Sequence, residues 1–151
     1  MARSAPSARS FDGIDAAVSS LKADMLAAPG AQPLRGRHIG VVCTDPQRPE
    51  VFLLERTASD LGARVALVRP GLELAMARRV GERTGRMLGL LYDALICVDV
   101  PETVVQVLRE SSGIPAAGDL AGDWVTHKAR RPDAPDDERY LLQALMIEAC
   151  A

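Results

Sequence analysis

Arg48 and Glu50 stand two residues apart on a turn, Thr44 to Glu50, that joins an apolar run, His38 to Cys43, to a helical segment. A strand running into a helix in this way aims the helix's N-terminal end at the carboxyl edge of a sheet. Such an end has unpaired N–H groups and a partial positive charge, so it suits a phosphate or another anion. The side chains of the turn oppose that use. Asp45 and Glu50 add negative charge, while Pro46 and Pro49 carry no N–H to donate. Gln47, Arg48 and Glu50 are therefore the candidates for a compromised anion site.

Other residues with chemical potential are scattered. His127 beside Lys128, near the carboxyl end of a strand, can polarise a carbonyl, although the plainer reading is a solvated loop. Arg78, Arg79, Arg83 and Arg86 form a basic stripe at helical spacing, with the last three on one side. That is either a solvated face or a contact for an anion or a partner. Trp124 either lines a pocket or covers an edge of the core, the second being the simpler. Asp45, Asp93 and Asp99 faintly resemble the acids of a phosphoacceptor receiver domain. That reading needs a fifth strand carrying a lysine, and none is legible after Ala117.

Cys43, Cys97 and Cys150 are far apart, with no CxxC and no histidine at ligand spacing. They support neither zinc nor a disulfide framework. Cys43 and Cys97 read as small buried residues on strands. No GxGxxG or Walker loop is present, and no Ser-His-Asp or Cys-His arrangement stands out. Neither a metal nor a cofactor is expected.

Positioning these residues falls to a regular alternation of elements. Phe11 to Leu26 has helical periodicity and is closed by Ala27-Ala28-Pro29-Gly30. His38 to Cys43 reads as a strand buried on both faces. Val51 to Leu61 reads as a helix with Gly62 as its left-handed stop, and Arg64 to Val68 as a second strand. Leu72 to Leu91 is helical in period despite Gly81, Gly85 and Gly89, whose spacing allows a close backbone approach. Ala94 to Val100 is the third strand, Glu102 to Glu110 a helix, and Ile114 to Ala117 a short fourth strand. Lys128 to Asp137 reads as loop, and Glu138 to Cys150 as an apolar closing helix.

This order predicts an α/β three-layer sandwich with an open four-stranded parallel sheet. Ligands in such folds bind beyond the carboxyl ends of the strands. The segments to inspect are Thr44 to Glu50, Arg69 to Arg79, Val98 to Glu102 and Gly118 to Lys128.

The 151 residues fit one domain, 11–151, behind a short head, 1–10. The head is rich in Arg and Ser and lacks acids, as transit peptides do. It is short and forms no amphipathic helix, so it reads as disordered. A net charge of −2 provides no basic face for nucleic acid, and an aromatic content of 3% provides no stacking platform. No apolar run approaches the ~20 residues that span a bilayer. A cytoplasmic protein with no nucleic-acid or membrane partner is expected.

Several of these segments resemble a known family. Leu34-Arg35-Gly36-Arg37 before a strand, then the turn, Glu55, Ala58, Leu61-Gly62 and Val65, look like the carbamoyl-phosphate domain of aspartate and ornithine carbamoyltransferases. Thr84-Gly85-Arg86-Met87-Leu88-Gly89, Tyr92-Asp93-Ala94, Ser112-Gly113-Ile114-Pro115 and Leu120 continue the similarity, which covers roughly residues 10 to 125. Full-length members carry a second domain for the amino-acid substrate. The resemblance implies a phosphate cradle built from Ser-Thr-Arg-Thr-Arg at the opening of the first core helix. Here those places hold Gln47-Arg48-Pro49-Glu50-Val51.

Other functional positions of the family also differ. Its arginine after the third strand falls on Val98. Its His-Pro-x-Gln motif falls on Val125 to Lys128, or on Asp136 to Arg139 if the polar loop is an insertion. Its mobile-loop glutamine falls on Leu74. The resemblance thus implies a stand-alone relative that has lost carbamoyl-phosphate chemistry and acts in binding or oligomerisation. Family members assemble as trimers through this domain, so a homo-oligomer is expected, and apolar Leu72, Leu74 and Met76 fit such a contact. A small anion or carbamoyl phosphate remains a possible ligand. The alternative is a residual carbamoyltransferase using Arg48, Arg78 and His127 with a separate amino-acid-binding domain.

Overall fold

The structure is a computed structural model that describes residues 11–69, 78–130 and 137–151. Its four strands are β1 (His38–Cys43), β2 (Arg64–Val68), β3 (Ala94–Val98) and β4 (Ala116–Gly118). They form one sheet in the order β2-β1-β3-β4, parallel throughout. The register is set by pairs such as Val41 with Leu67 and with Ile96. Parallel neighbours need crossovers, and helices supply them. The described helices are α1 (Phe11–Ala27), α2 (Pro49–Asp60), α3 (Arg78–Leu91), α4 (Glu102–Ser112), α5 (Leu120–Ala129) and α6 (Glu138–Ala149).

Two apolar layers sandwich the sheet, as the three-layer expectation requires. On one face Ile39, Val41, Cys43 and Ile96 pack with Ile14 and Val18 of α1, Leu54 of α2, Leu120 of α5 and Leu145 of α6. On the other, Val42, Leu95 and Cys97 pack with Leu88 of α3 and Val105 and Leu108 of α4. Alternate residues of β1 and β3 thus enter opposite cores. Every residue of β3, and all of β1 except His38, is buried, whereas the edge strand β2 is only half covered.

Glycines set two of the close contacts. Gly62 has φ +97, and a Cβ there would meet the Gln32 Cβ at 2.7 Å, so it ends α2 as the sequence implies. In α3, a Cβ on Gly85 would lie 2.9 Å from the Ser111 Cβ. One on Gly89 would lie 3.0 Å from the Ser112 carbonyl carbon. The expected close backbone approach is therefore between α3 and the end of α4.

Several boundaries differ from the sequence reading; α2 starts at Pro49 and α4 runs on to Ser112. β3 stops at Val98 because Asp99 turns the chain with φ +57. β4 starts at Ala116, two residues late, and extends to Gly118. Gly118 to Lys128, a segment to inspect at the strand ends, is mostly helix α5, and Lys128 belongs to its last turn. Residues 1–10, the head, lie outside the described residues, as do Leu72, Leu74 and Met76.

Candidate functional site

β1 is flanked by β2 on one side and β3 on the other, so the chain reverses its direction of travel between β1 and β3. A crevice at the carboxyl ends of these two strands is where parallel α/β sheets place ligands. Here it receives the turn after β1, Asp99 after β3, and Asp119 after β4. A cavity of about 120 Å³ lies among them, floored by Leu54, Cys97 and Val98 and rimmed by Arg48, Glu50, Asp99 and Asp119. That is well below the ~300 Å³ at which ligand pockets usually begin.

The rim is one cluster of ion pairs. The Arg48 guanidinium donates from Nη2 to Glu50 Oε2 at 2.8 Å and from Nη1 to Asp99 Oδ2 at 2.9 Å. Its Nε reaches Glu50 Oε1 at 3.5 Å. The Glu50 hydrogen bond, reinforced by the charges of Glu50 and Asp99, holds the guanidinium above its ordinary pKa. In return, the Arg48 hydrogen bond and then the backbone N–H of Glu50 itself hold the Glu50 carboxyl below its ordinary value. Three carboxylates, Glu50, Asp99 and Asp119, and one guanidinium line this cavity. The local charge is negative.

Backbone donors are committed as well. The Gln47 N–H donates to Asp45 Oδ1 at 2.9 Å, and the Arg48 N–H to the Asp45 carbonyl at 3.3 Å. Pro49, the first helical residue, has none. The Glu50 N–H faces its own carboxylate, and the Val51 N–H donates to the Arg48 carbonyl at 3.0 Å. From Gln47 to Val51 three N–H groups are bonded within the turn and Pro49 has none. A nest for an anion needs several such donors converging and unoccupied.

Asp99 and Asp119 hold positive φ, +57 and +53, and are the described non-glycine residues that do so. Aspartate tolerates this region better than most residues because its short carboxylate bonds locally. At Asp119 the carboxylate lies over the first turn of α5, in the space that a side chain on Gly122 would take. The Gly-Asp-Leu-Ala-Gly sequence therefore builds the corner that brings a third acid to the rim.

The remaining candidates do not converge on this crevice. His127 is 3% exposed in the last turn of α5, which corrects its placement on a solvated loop at a strand end. Seven residues of helix, on the order of 10 Å, separate it from Leu120 at the cavity. Lys128 lies 4.1 Å over the Trp124 ring, and the Trp124 indole donates to the Glu138 carbonyl at 3.0 Å. Trp124 thus covers the α5–α6 edge of the core. Gln47 is exposed beside the rim, and Arg83 and Arg86 are exposed on α3. The side chains of Arg78 and Arg79 lie outside the described residues. Among the described residues, no cluster of His, Cys, Asp or Glu is arranged to hold a metal, and no helix is long and apolar enough to cross a membrane.

Comparison with solved structures gives TM-score 0.66 over 83% of this chain for ornithine carbamoyltransferase from Burkholderia thailandensis, at 12% identity. The Thermus thermophilus ornithine carbamoyltransferase gives 0.65 over 86% at 12% identity. The catalytic subunit of M. jannaschii aspartate transcarbamoylase gives 0.64 over 81% at 14% identity. The fold is that of a carbamoyltransferase domain. The carbamoyltransferase-like chain spans less than half the length of these structures, 46%, 48% and 42% respectively. No sequence-family model and no curated protein sequence matches it.

Asp99 and Asp119 were not singled out for this rim from the sequence. Each follows an apolar run and precedes a helix start, Val-Pro-Glu and Leu-Ala-Gly. That signal becomes meaningful only once the strand order places both beside Arg48.

Proposed function

We propose that this carbamoyltransferase-like domain has lost carbamoyl-phosphate chemistry and acts as a binding or oligomerisation module. The observation that carries the reading is the closed turn at Gln47 to Val51. Its one guanidinium is shared between Glu50 and Asp99, the N–H groups of Gln47, Arg48 and Val51 are bonded within the turn, and Pro49 has none. A phosphate dianion arriving here would have to displace two carboxylates and would face a third.

Assembly with further copies is supported by exposed apolar side chains on the last turns of α3. Leu90 is 88% exposed, with Met87 and Leu91 beside it at more than half. A homo-trimer is the arrangement that the family resemblance favours. The alternative, a residual carbamoyltransferase using Arg48, Arg78 and His127, is disfavoured because Arg48 is paired and His127 is buried in α5.

Replacing Gln47 to Val51 by Ser-Thr-Arg-Thr-Arg tests the reading. The replaced protein is expected to melt higher in millimolar carbamoyl phosphate, because ligand binding stabilises by RT ln(1 + [L]/Kd). The parent is expected to show no rise, and a rise in the parent refutes the loss of binding. Light scattering of the parent tests the second half of the proposal. A monomer at high concentration refutes assembly.

A further inference from the structure

The end of α3 carries an apolar knob. Met87, Leu90 and Leu91 stand at i, i+3 and i+4, so they share one side of the helix. All three are exposed, Leu90 almost completely. Arg83 and Arg86, four residues before Met87 and Leu90, continue that side toward the helix start and are exposed as well. Neither guanidinium has an ion-pair partner among the described residues. The opposite side of the helix is fixed: Gly85 and Gly89 lie against the end of α4, and Leu88 is buried with Val105 and Leu108. The knob is thus held firmly, apolar at its tip and basic one turn behind.

The counterpart is a cavity of about 420 Å³ between α1 and the second half of α6. Its volume lies within the ~300–1,000 Å³ of pockets that hold a ligand. Leu21 of α1 and Ala144 and Ile147 of α6 supply its apolar lining. Asp24 and Glu148 add two carboxylates, and among the described residues no basic side chain lines it. Asp24 sits in the last turn of α1, where the helix end adds partial negative charge and favours a cation.

Knob and cavity cannot meet within one chain. α3 packs on the sheet face of Val42, Leu95 and Cys97, whereas α1 and α6 pack on the face of Ile39, Val41 and Ile96. The sheet lies between them. A second copy offers apolar side chains to the cavity and carboxylates to the guanidiniums.

We propose that the Leu90 knob of one copy seats in the α1–α6 cavity of a second copy, with Arg83 and Arg86 meeting Asp24 and Glu148 at its edge. Arg86 precedes Leu90 by about one turn, ~5.4 Å. Asp24 follows Leu21 by about the same, so guanidinium and knob are spaced as carboxylate and apolar floor. Because knob and cavity are different patches, the contact is head-to-tail, and it closes into a ring such as a trimer or runs on as a chain. This contact rests on the assembly proposed above and names its two surfaces.

Sedimentation of the full chain at rising concentration tests this with variants of either surface. Leu90→Asp removes the knob, and Ser20→Trp fills the cavity from an exposed position on its lining. Both replace exposed side chains, so each variant is expected to keep the parent's circular dichroism spectrum. The parent is expected to assemble, and each variant alone to stay monomeric. A 1:1 mixture of the two is expected to form a dimer and nothing larger, because one intact knob then meets one intact cavity. Reversing both guanidiniums, Arg83→Glu with Arg86→Glu, is expected to weaken association by roughly tenfold or more. If the parent and both single variants assemble alike, the contact lies elsewhere: the knob and cavity are overturned while assembly stands. A parent that stays monomeric overturns both. A mixture that stays monomeric overturns the head-to-tail pairing, and undiminished association after the double reversal overturns the charge match.

Discussion

Replacing Gly89 by alanine sets two opposed effects against each other at the α3–α4 contact. An alanine inside a helix is favoured over glycine by about 1 kcal/mol of propensity. The added Cβ, however, would sit 3.0 Å from the Ser112 carbonyl carbon and 3.1 Å from its Cα, against an ordinary contact of 3.4–4 Å. These are backbone atoms at the end of α4, and they cannot rotate away. The Ser112 carbonyl oxygen lies closer still, so the helices must separate, loosening Leu88 against Val105 and Leu108. Overpacking of this kind costs about 1–3 kcal/mol, and a backbone obstacle puts it in the upper part of that range. Subtracting the propensity gain leaves about 1–2 kcal/mol of destabilisation.

Urea unfolding followed by circular dichroism reads this directly. With m of about 2 kcal/mol per molar, the midpoint falls by roughly 0.5–1 M, and the melting temperature by about 2–8 °C. Gly85→Ala is expected to destabilise as well, because the Ser111 hydroxyl can swing aside but its Cβ stays 2.9 Å from the added one. A Gly89→Ala protein with an unchanged or raised midpoint refutes the close approach of α3 and α4.

Three further outcomes follow from the same geometry. Burial pushes the Cys97 thiol up to about 12 and the Cys150 thiol to about 11, and raises Cys43 as well. A thiol reagent at mildly alkaline pH is therefore expected to find no fast-reacting cysteine in the native chain and three in denaturant, and rapid native labelling contradicts this. The Glu50 carboxyl is expected to titrate below 4.5 by carbon-detected NMR and to move up toward it in Arg48→Gln. Because its folded pKa is depressed, the stabilisation it brings is present above the unfolded value and lost as pH falls through the folded one; a parent midpoint at or above 4.5 contradicts the pairing. His127→Ala, which empties a buried position in α5, is expected to lose about 2 kcal/mol in urea unfolding. A neutral result returns His127 to the surface.

The strands β1 and β2 were legible because a short apolar, β-branched run bounded by loops leaves a plain signature whether the strand is central or at the edge. His-Ile-Gly-Val-Val-Cys and Arg-Val-Ala-Leu-Val each read as a strand at the bounds observed. The ends of β3 and β4 were less legible because hydropathy does not report backbone sign. Val100 is as apolar as Val98, yet Asp99 turns the chain between them. Helix α5 was hidden by Gly122, Asp123 and Thr126, poor helix formers whose weakness is offset by the burial of Leu120 and His127. At the site, Arg48 and Glu50 were legible from sequence proximity. Asp99 and Asp119 lie 51 and 71 residues beyond Arg48. Only the β2-β1-β3-β4 order brings their strands' carboxyl ends to it.

The most direct test follows the amides of residues 47–51 by NMR while carbamoyl phosphate is titrated into the parent chain to millimolar excess. Arg48 held by Glu50 and Asp99, with the neighbouring N–H groups already bonded, predicts no saturable shift in any of them. Saturable movement of the Gln47, Arg48 or Val51 amides would contradict the account.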